Sequence, residues 1–254
     1  MQPDIVVVRS PDGDEALGPN CLIIAIDETG HEELADPRYP IFGLGGCLTV
    51  VGEYHEQIRG PWAAIKAKHF GGSRTPLHAT GLKPTPEKAE AIGAFFRSRV
   101  FGRFAAITTP ATSLLTPLDR FTSTAWMMAH LVTLASAEYS FDRIAVIFEY
   151  NARTDPHVRK IFSPTKAFSE EAAKRWKVPT QFFYAFKHMA EPLVEVADFV
   201  MQAGGSAVRR NLETGVPFLA RKDFAAVFDG GPSRRAAFIR LDSFAGIPPH
   251  ETTA

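Results

Sequence analysis

Apolar and polar positions divide this chain into short, well-separated segments. The first clear one is "CLIIAIDETGH", Cys21 to His31, where a nearly continuous apolar run meets Asp27 and Glu28 before the chain turns at Gly30. A run of this length bounded by turn residues predicts a buried strand. A polar loop from His31 to Pro40 leads to "IFGLGGCLTVV", Ile41 to Val51. This is a second strand, close enough in sequence to pair with the first as an antiparallel hairpin. Gly43, Gly45 and Gly46 within it lack GxGxxG spacing, a following helix start and GK[ST], so close backbone packing is preferred over a phosphate-binding loop.

Beyond the hairpin the pattern alternates. Residues 53–69 are helix-like, and Pro86 is placed to open a helix to about Val100, with Glu87 and Glu90 early in it as helix polarity favours. "GRFAAITTP" predicts a third strand, Leu118 to Tyr139 is apolar at helical spacing, and "RIAVIFEYN", Arg143 to Asn151, is the clearest strand of all. A helix over 156–177 precedes "TQFFYAFKH", a fifth strand, and "EPLVEVADFVMQAGGSAVRR" predicts a final helix with an acidic first half. A hairpin followed by alternating helix and strand predicts a single α/β domain. Its expected limits are 21–210. Residues 1–20, ending in the turn-rich "SPDGDEALGPN", read as a flexible N-terminal arm, and 211–254 as a C-terminal appendage with one short helix.

Composition narrows the class only a little. With 45% apolar and 22% charged residues, the 254-residue chain has the make-up of an ordinary globular protein. No apolar run approaches the roughly 20 residues that span a membrane. The N-terminus lacks the basic start, apolar core and cleavage site of a secretory signal. Cys21 and Cys47 have no CxxC spacing, so a disulfide framework or thiolate metal site is not expected, and a cytoplasmic location is. The formal net charge is zero, which argues against a nonspecific nucleic-acid coat, but residues 1–60 hold eleven acids and three bases, a net −8, and the remainder carries +8. An acidic site facing a basic rim would suit an anionic ligand held through metal ions; solvated charged faces are the plainer reading.

Carboxylates at the end of a buried strand are costly unless something cationic meets them. Asp27 and Glu28 stand there, although strand neighbours point to opposite faces. Glu149 follows the apolar Ala145–Phe148, and Glu195 and Asp198, three apart, share one face of the final helix. Glu195 has two further readings, a pair with Lys187 or plain exposure. Acids converging from separate segments form the pattern for hard divalent cations such as Mg²⁺ or Mn²⁺, and two such ions about 4 Å apart stabilise the attacking and leaving oxygens of phosphoryl transfer. No HxxxH or Cys/His cluster supports zinc, and no GxSxG supports a nucleophilic serine.

"AIDETGH" followed by "FGLGGCLTV", "LHAT", "VIFEYN" and "VEVADFVMQA" resembles the DUF3800 family over roughly Cys21 to Gly205. The resemblance implies a ribonuclease H-like fold: a mixed sheet opened by a β-hairpin, flanked by helices, with acids meeting at one edge. It implies Asp27 as the first-strand acid, Glu149 as the second and Asp198 as the third. Thr29 stands where the family has Ser. Glu149 stands where Asp is common, and Asn151 is an alternative ligand there. His78 matches a recurrent position, suited to orienting water or contacting phosphate; read alone it is an ordinary loop residue. His31 and His188 lie near motif ends.

The expected function is a divalent-metal-dependent phosphodiester hydrolase, a nuclease. Asp27, Glu149, Glu195 and Asp198 would hold Mg²⁺ or Mn²⁺, with Glu28 as a further ligand or base, and His78 would assist. Lys187, Arg209 and Arg210 would hold the backbone of a nucleic-acid partner. A catalytically silent domain that binds protein or nucleic acid is the alternative, and a hydrolase of small phosphate compounds is a third possibility.

Overall fold

The computed structural model describes residues 6–10, 13–112, 115–149, 162, 170–185, 191–215, 226–228 and 236–242. Where the sequence suggests a flexible arm, Val6–Ser10 (β1) and Gly13–Leu17 (β2) pair antiparallel, from Val6 opposite Leu17 to Ser10 opposite Gly13. Leu17 is fully buried, and Glu15 receives Arg143 Nη1 at 3.2 Å and Gln181 Nε2 at 2.8 Å, which fastens this hairpin to the main sheet.

The main sheet has six strands. Cys21–Gly30 (β3) and Phe42–Val50 (β4) form the expected antiparallel hairpin, and Gly102–Thr108 (β5) continues it antiparallel to β4. On the other side of β3, Arg143–Glu149 (β6) and Thr180–Ala185 (β7) run parallel to it. Ala236–Leu241 (β8) pairs parallel with β5, so the order is β7-β6-β3-β4-β5-β8. Ala236–Leu241, within the expected C-terminal appendage, is thus a strand of the sheet.

Helices cover both faces. Val51–Tyr54 (α1) passes through a π-turn at His55–Arg59 into Gly60–His69 (α2). Pro86–Ser98 (α3) and Pro117–Ala135 (α4) each begin with Pro behind a Thr cap whose hydroxyl accepts a first-turn amide. Proline suits this position because it has no amide hydrogen to leave unsatisfied. Of the helix expected over 156–177, Glu170–Arg175 (α5) is helical, Phe162 and Trp176–Lys177 are in turns, and 156–161 and 163–169 lie outside the described residues. Pro192–Thr214 (α6) is the final helix, and it stops at Gly215 in the left-handed region.

Strand alternation sorts the core. Leu22, Ile24, Ile26, Ile144, Val146 and Phe148 pack with α4 and α5. Cys21, Ile23, Ala25, Ala145 and Ile147 pack with α1, α2, α3 and α6. The glycines of β4 let the backbones of β3 and β5, as well as α6, come close. A Cβ at Gly45 would stand 2.3 Å from Phe104 O and 2.7 Å from Met201 Sδ; one at Gly46 would stand 2.0 Å from Ala25 O. Cys21 and Cys47 are buried free thiols. Among the described residues, no helix is long and apolar enough to cross a membrane.

Candidate functional site

Asp27 follows Cys21, Ile23 and Ala25 in the two-residue alternation of β3, so it shares their face of the sheet, the one α6 covers. Glu149 follows Ala145 and Ile147 in the same way on β6. Ile26 pairs with Phe148 in the parallel register, and the next residue on each strand is one of the two acids. They therefore stand side by side at the carboxyl ends of adjacent parallel strands, where ligands of open α/β sheets bind. Glu28 has the other parity and falls on the α4 face, so the sheet separates it from Asp27's side chain. Its amide donates to Asp27 Oδ1 at 2.8 Å.

The first turns of α6 supply the rest. A small pocket is lined by Asp27, Leu77, His78, Glu149, Glu191, Val194, Glu195 and Asp198. It offers about 20 Å³ to the centre of a water-sized particle, enough for water or a small ion. Five of its eight lining residues are carboxylates and none is Lys or Arg.

Glu195 is only 6% exposed, and its carboxylate accepts from three donors. Lys66 Nζ lies 2.9 and 2.8 Å from its two oxygens, Trp62 Nε1 2.7 Å from Oε2, and the Leu77 amide 2.9 Å from Oε1. Lys66 and Trp62 have no exposed surface. The cation that meets Glu195 is therefore Lys66, from α2. Asp198 Oδ2 accepts the Ala79 amide at 2.9 Å and lies 3.7 Å from His78 Nδ1. Two carboxylates three residues apart on one helix face thus take the amides of alternate residues in the 77–79 segment, with His78 between them.

Glu191 escaped the reading of the sequence. It precedes Pro192 at the start of α6, and Tyr54 OH donates to its Oε1. Burial pushes its carboxyl above the ordinary range, against the lowering effects of the Tyr54 hydrogen bond and the Arg59 charge. Burial, then Glu191's own charge, raises the Tyr54 phenol in turn. The signal was present: Glu191, Glu195 and Asp198 stand at i, i+4 and i+7, one stripe of a helix.

The remaining candidates lie elsewhere. Arg209 stands over the Tyr39 ring, 5.2 Å from its centroid, and pairs with Glu213 at 3.6 Å. At 1.5 Å per residue, Arg209 and Arg210 are about 16–18 Å along α6 from Asp198. His31, in the loop after β3, lies 3.5 Å from Glu32 and does not line the pocket. Asn151, Lys187 and His188 fall outside the described residues.

Carboxylate oxygen is the donor chemistry of Mg²⁺ and Mn²⁺, and in that respect the lining fits a hard cation. Among the described residues, no group of three or more His, Cys, Asp and Glu is arranged to hold a metal ion. The chain matches no known family model, no curated protein and no solved structure.

Proposed function

We propose that this protein is a divalent-metal-dependent phosphodiester hydrolase, a nuclease, in which Asp27, Glu149 and Asp198 hold Mg²⁺ or Mn²⁺. The observation that carries this reading is the meeting of carboxylates from β3, β6 and α6 at one small pocket with no Lys or Arg in its lining. Like charges brought together at the edge of a core require a compensating cation. A mixed sheet flanked by helices is in keeping with the sheet, opened by a β-hairpin, that the DUF3800 resemblance and a ribonuclease H-like fold imply. Held by these carboxylates, such an ion would supply hydroxide from water and offset charge on the phosphate.

The chain's own residues divide the remaining work. His78, at the pocket rim, is placed to hydrogen-bond a phosphate oxygen or a water. Glu191, raised by burial, holds a proton more readily than an ordinary carboxyl. Glu195 is engaged by Lys66, Trp62 and Leu77 and serves as a support. Arg209 and Arg210 lie beyond the pocket, where only an extended backbone would reach them, and binding through them would weaken with salt.

Calorimetric titration with Mn²⁺ and Mg²⁺ tests the reading. Wild type is expected to bind, and Asp27→Asn and Asp198→Asn each to abolish binding. Weak binding indifferent to both substitutions would refute it. That result would favour the second reading, a catalytically silent domain that binds a partner.

A further inference from the structure

Lys66 is a charge with no exposed surface, in the middle of the core. Burying an ion pair is at best neutral beside an apolar pair of the same volume, so stability alone does not account for it. What distinguishes this pair is the third partner of the carboxylate. Besides Lys66 and Trp62, Glu195 takes the amide of Leu77, and one turn further along α6 Asp198 takes the amide of Ala79. His78 lies between those two anchored amides. Its ring faces the pocket with Nδ1 3.7 Å from Asp198, on a segment that belongs to neither a helix nor a strand. A loop residue has no rigid element to hold its side chain, and a site needs its groups held to within about 0.5 Å.

We infer that Glu195 is a positioning residue: fixed by Lys66 and Trp62, it fastens the 77–79 segment so that His78 faces the acidic pocket. Glu195 thereby acts through His78 and holds no metal itself. The inference rests on the pocket being the hydrolase site proposed above.

Two variants test it, Glu195→Gln and the paired Lys66→Met/Glu195→Leu. The second removes both charges together, so the fold does not depend on an unpaired ion. Amide exchange is measured first, without metal or substrate. In the paired variant the Leu77 amide is expected to exchange roughly tenfold to a hundredfold faster, the factor expected when a hydrogen bond to a charged acceptor is lost, while core-strand amides keep their rates. Unchanged Leu77 exchange overturns the inference. Mn²⁺ is then added, and the paramagnetic broadening of the His78 ring signals is followed by NMR. Broadening in wild type that is reduced in both variants supports the positioning role. Equal broadening in all three proteins makes Glu195 merely structural and overturns it. If Mn²⁺ broadens nothing near Asp27 or His78 even in wild type, the metal reading fails by itself, and the exchange rates decide whether Glu195 holds the segment.

Discussion

Glu191 shows how one residue's surroundings can be tested without knowing the substrate. Its carboxyl is raised by burial, so the folded state holds the proton more tightly than the unfolded chain does. The stability this gives is complete below the ordinary carboxyl value of 4.5 and is lost as pH rises through the raised value. Glu191→Gln stays neutral at every pH. It is therefore expected to melt above wild type at neutral pH, with the difference closing as pH falls toward 4.5. Scanning calorimetry across that range checks this, and a Tm difference independent of pH would contradict it. The same scale explains Asp27 and Glu28. Adjacent residues on one strand face opposite layers, so a single position decides that Asp27 meets α6 and Glu28 does not.

At the level of elements, the site depends on how closely α6 lies on β4. Gly45 pairs with Asp27 across the hairpin, and a side chain there would press into the Phe104 carbonyl and Met201. Gly45→Ala is expected to cost about 1–3 kcal/mol, the usual range for overpacking. It should also weaken Mn²⁺ binding, because pushing α6 outward carries Asp198 away from Asp27. Thermal melting and calorimetric titration of one sample measure both effects. A variant with unaltered stability and binding would show that α6 is not held by this contact. The pattern of β4 announced close packing through its glycines, but not which helix comes close.

Across the whole molecule, segments toward both chain ends are strands: β1 and β2 form a separate hairpin tied to the main sheet through Glu15, and β8 is the sixth strand of that sheet. β8 covers the β5 edge, and the buried Arg103 guanidinium on β5 donates to the carbonyls of Phe96 and Val227, tying residues 226–228 to the core. Burial lowers Arg103 only to about 10, so it remains charged at neutral pH. Deleting residues 229–254 removes β8 and leaves β5 as an open edge, the kind of surface that recruits another chain. The truncated protein is expected to melt several degrees lower and to associate as its concentration rises, measured by calorimetry and light scattering. Unchanged melting and a concentration-independent mass would count against β8 as a working strand.

Local rules made much of this chain legible from sequence. Apolar runs of strand length, helical spacing of apolar positions, Pro86 at a helix start and glycine-rich packing positions located β3 to β7 and the helices around them, because each depends on neighbours within a turn or two. The acids Asp27, Glu149 and Asp198 stood out for the same reason, as charges interrupting apolar segments. Tertiary structure alone decided which face of β3 receives α6, and so which of two adjacent acids enters the pocket. It also decided that Lys66, more than a hundred residues from Glu195, is its counter-charge, and that the first and last segments join the rest as strands. Both faces of the sheet are apolar and both are covered, so alternation along β3 could not distinguish them. Pairings across such separations are fixed only when the layers close.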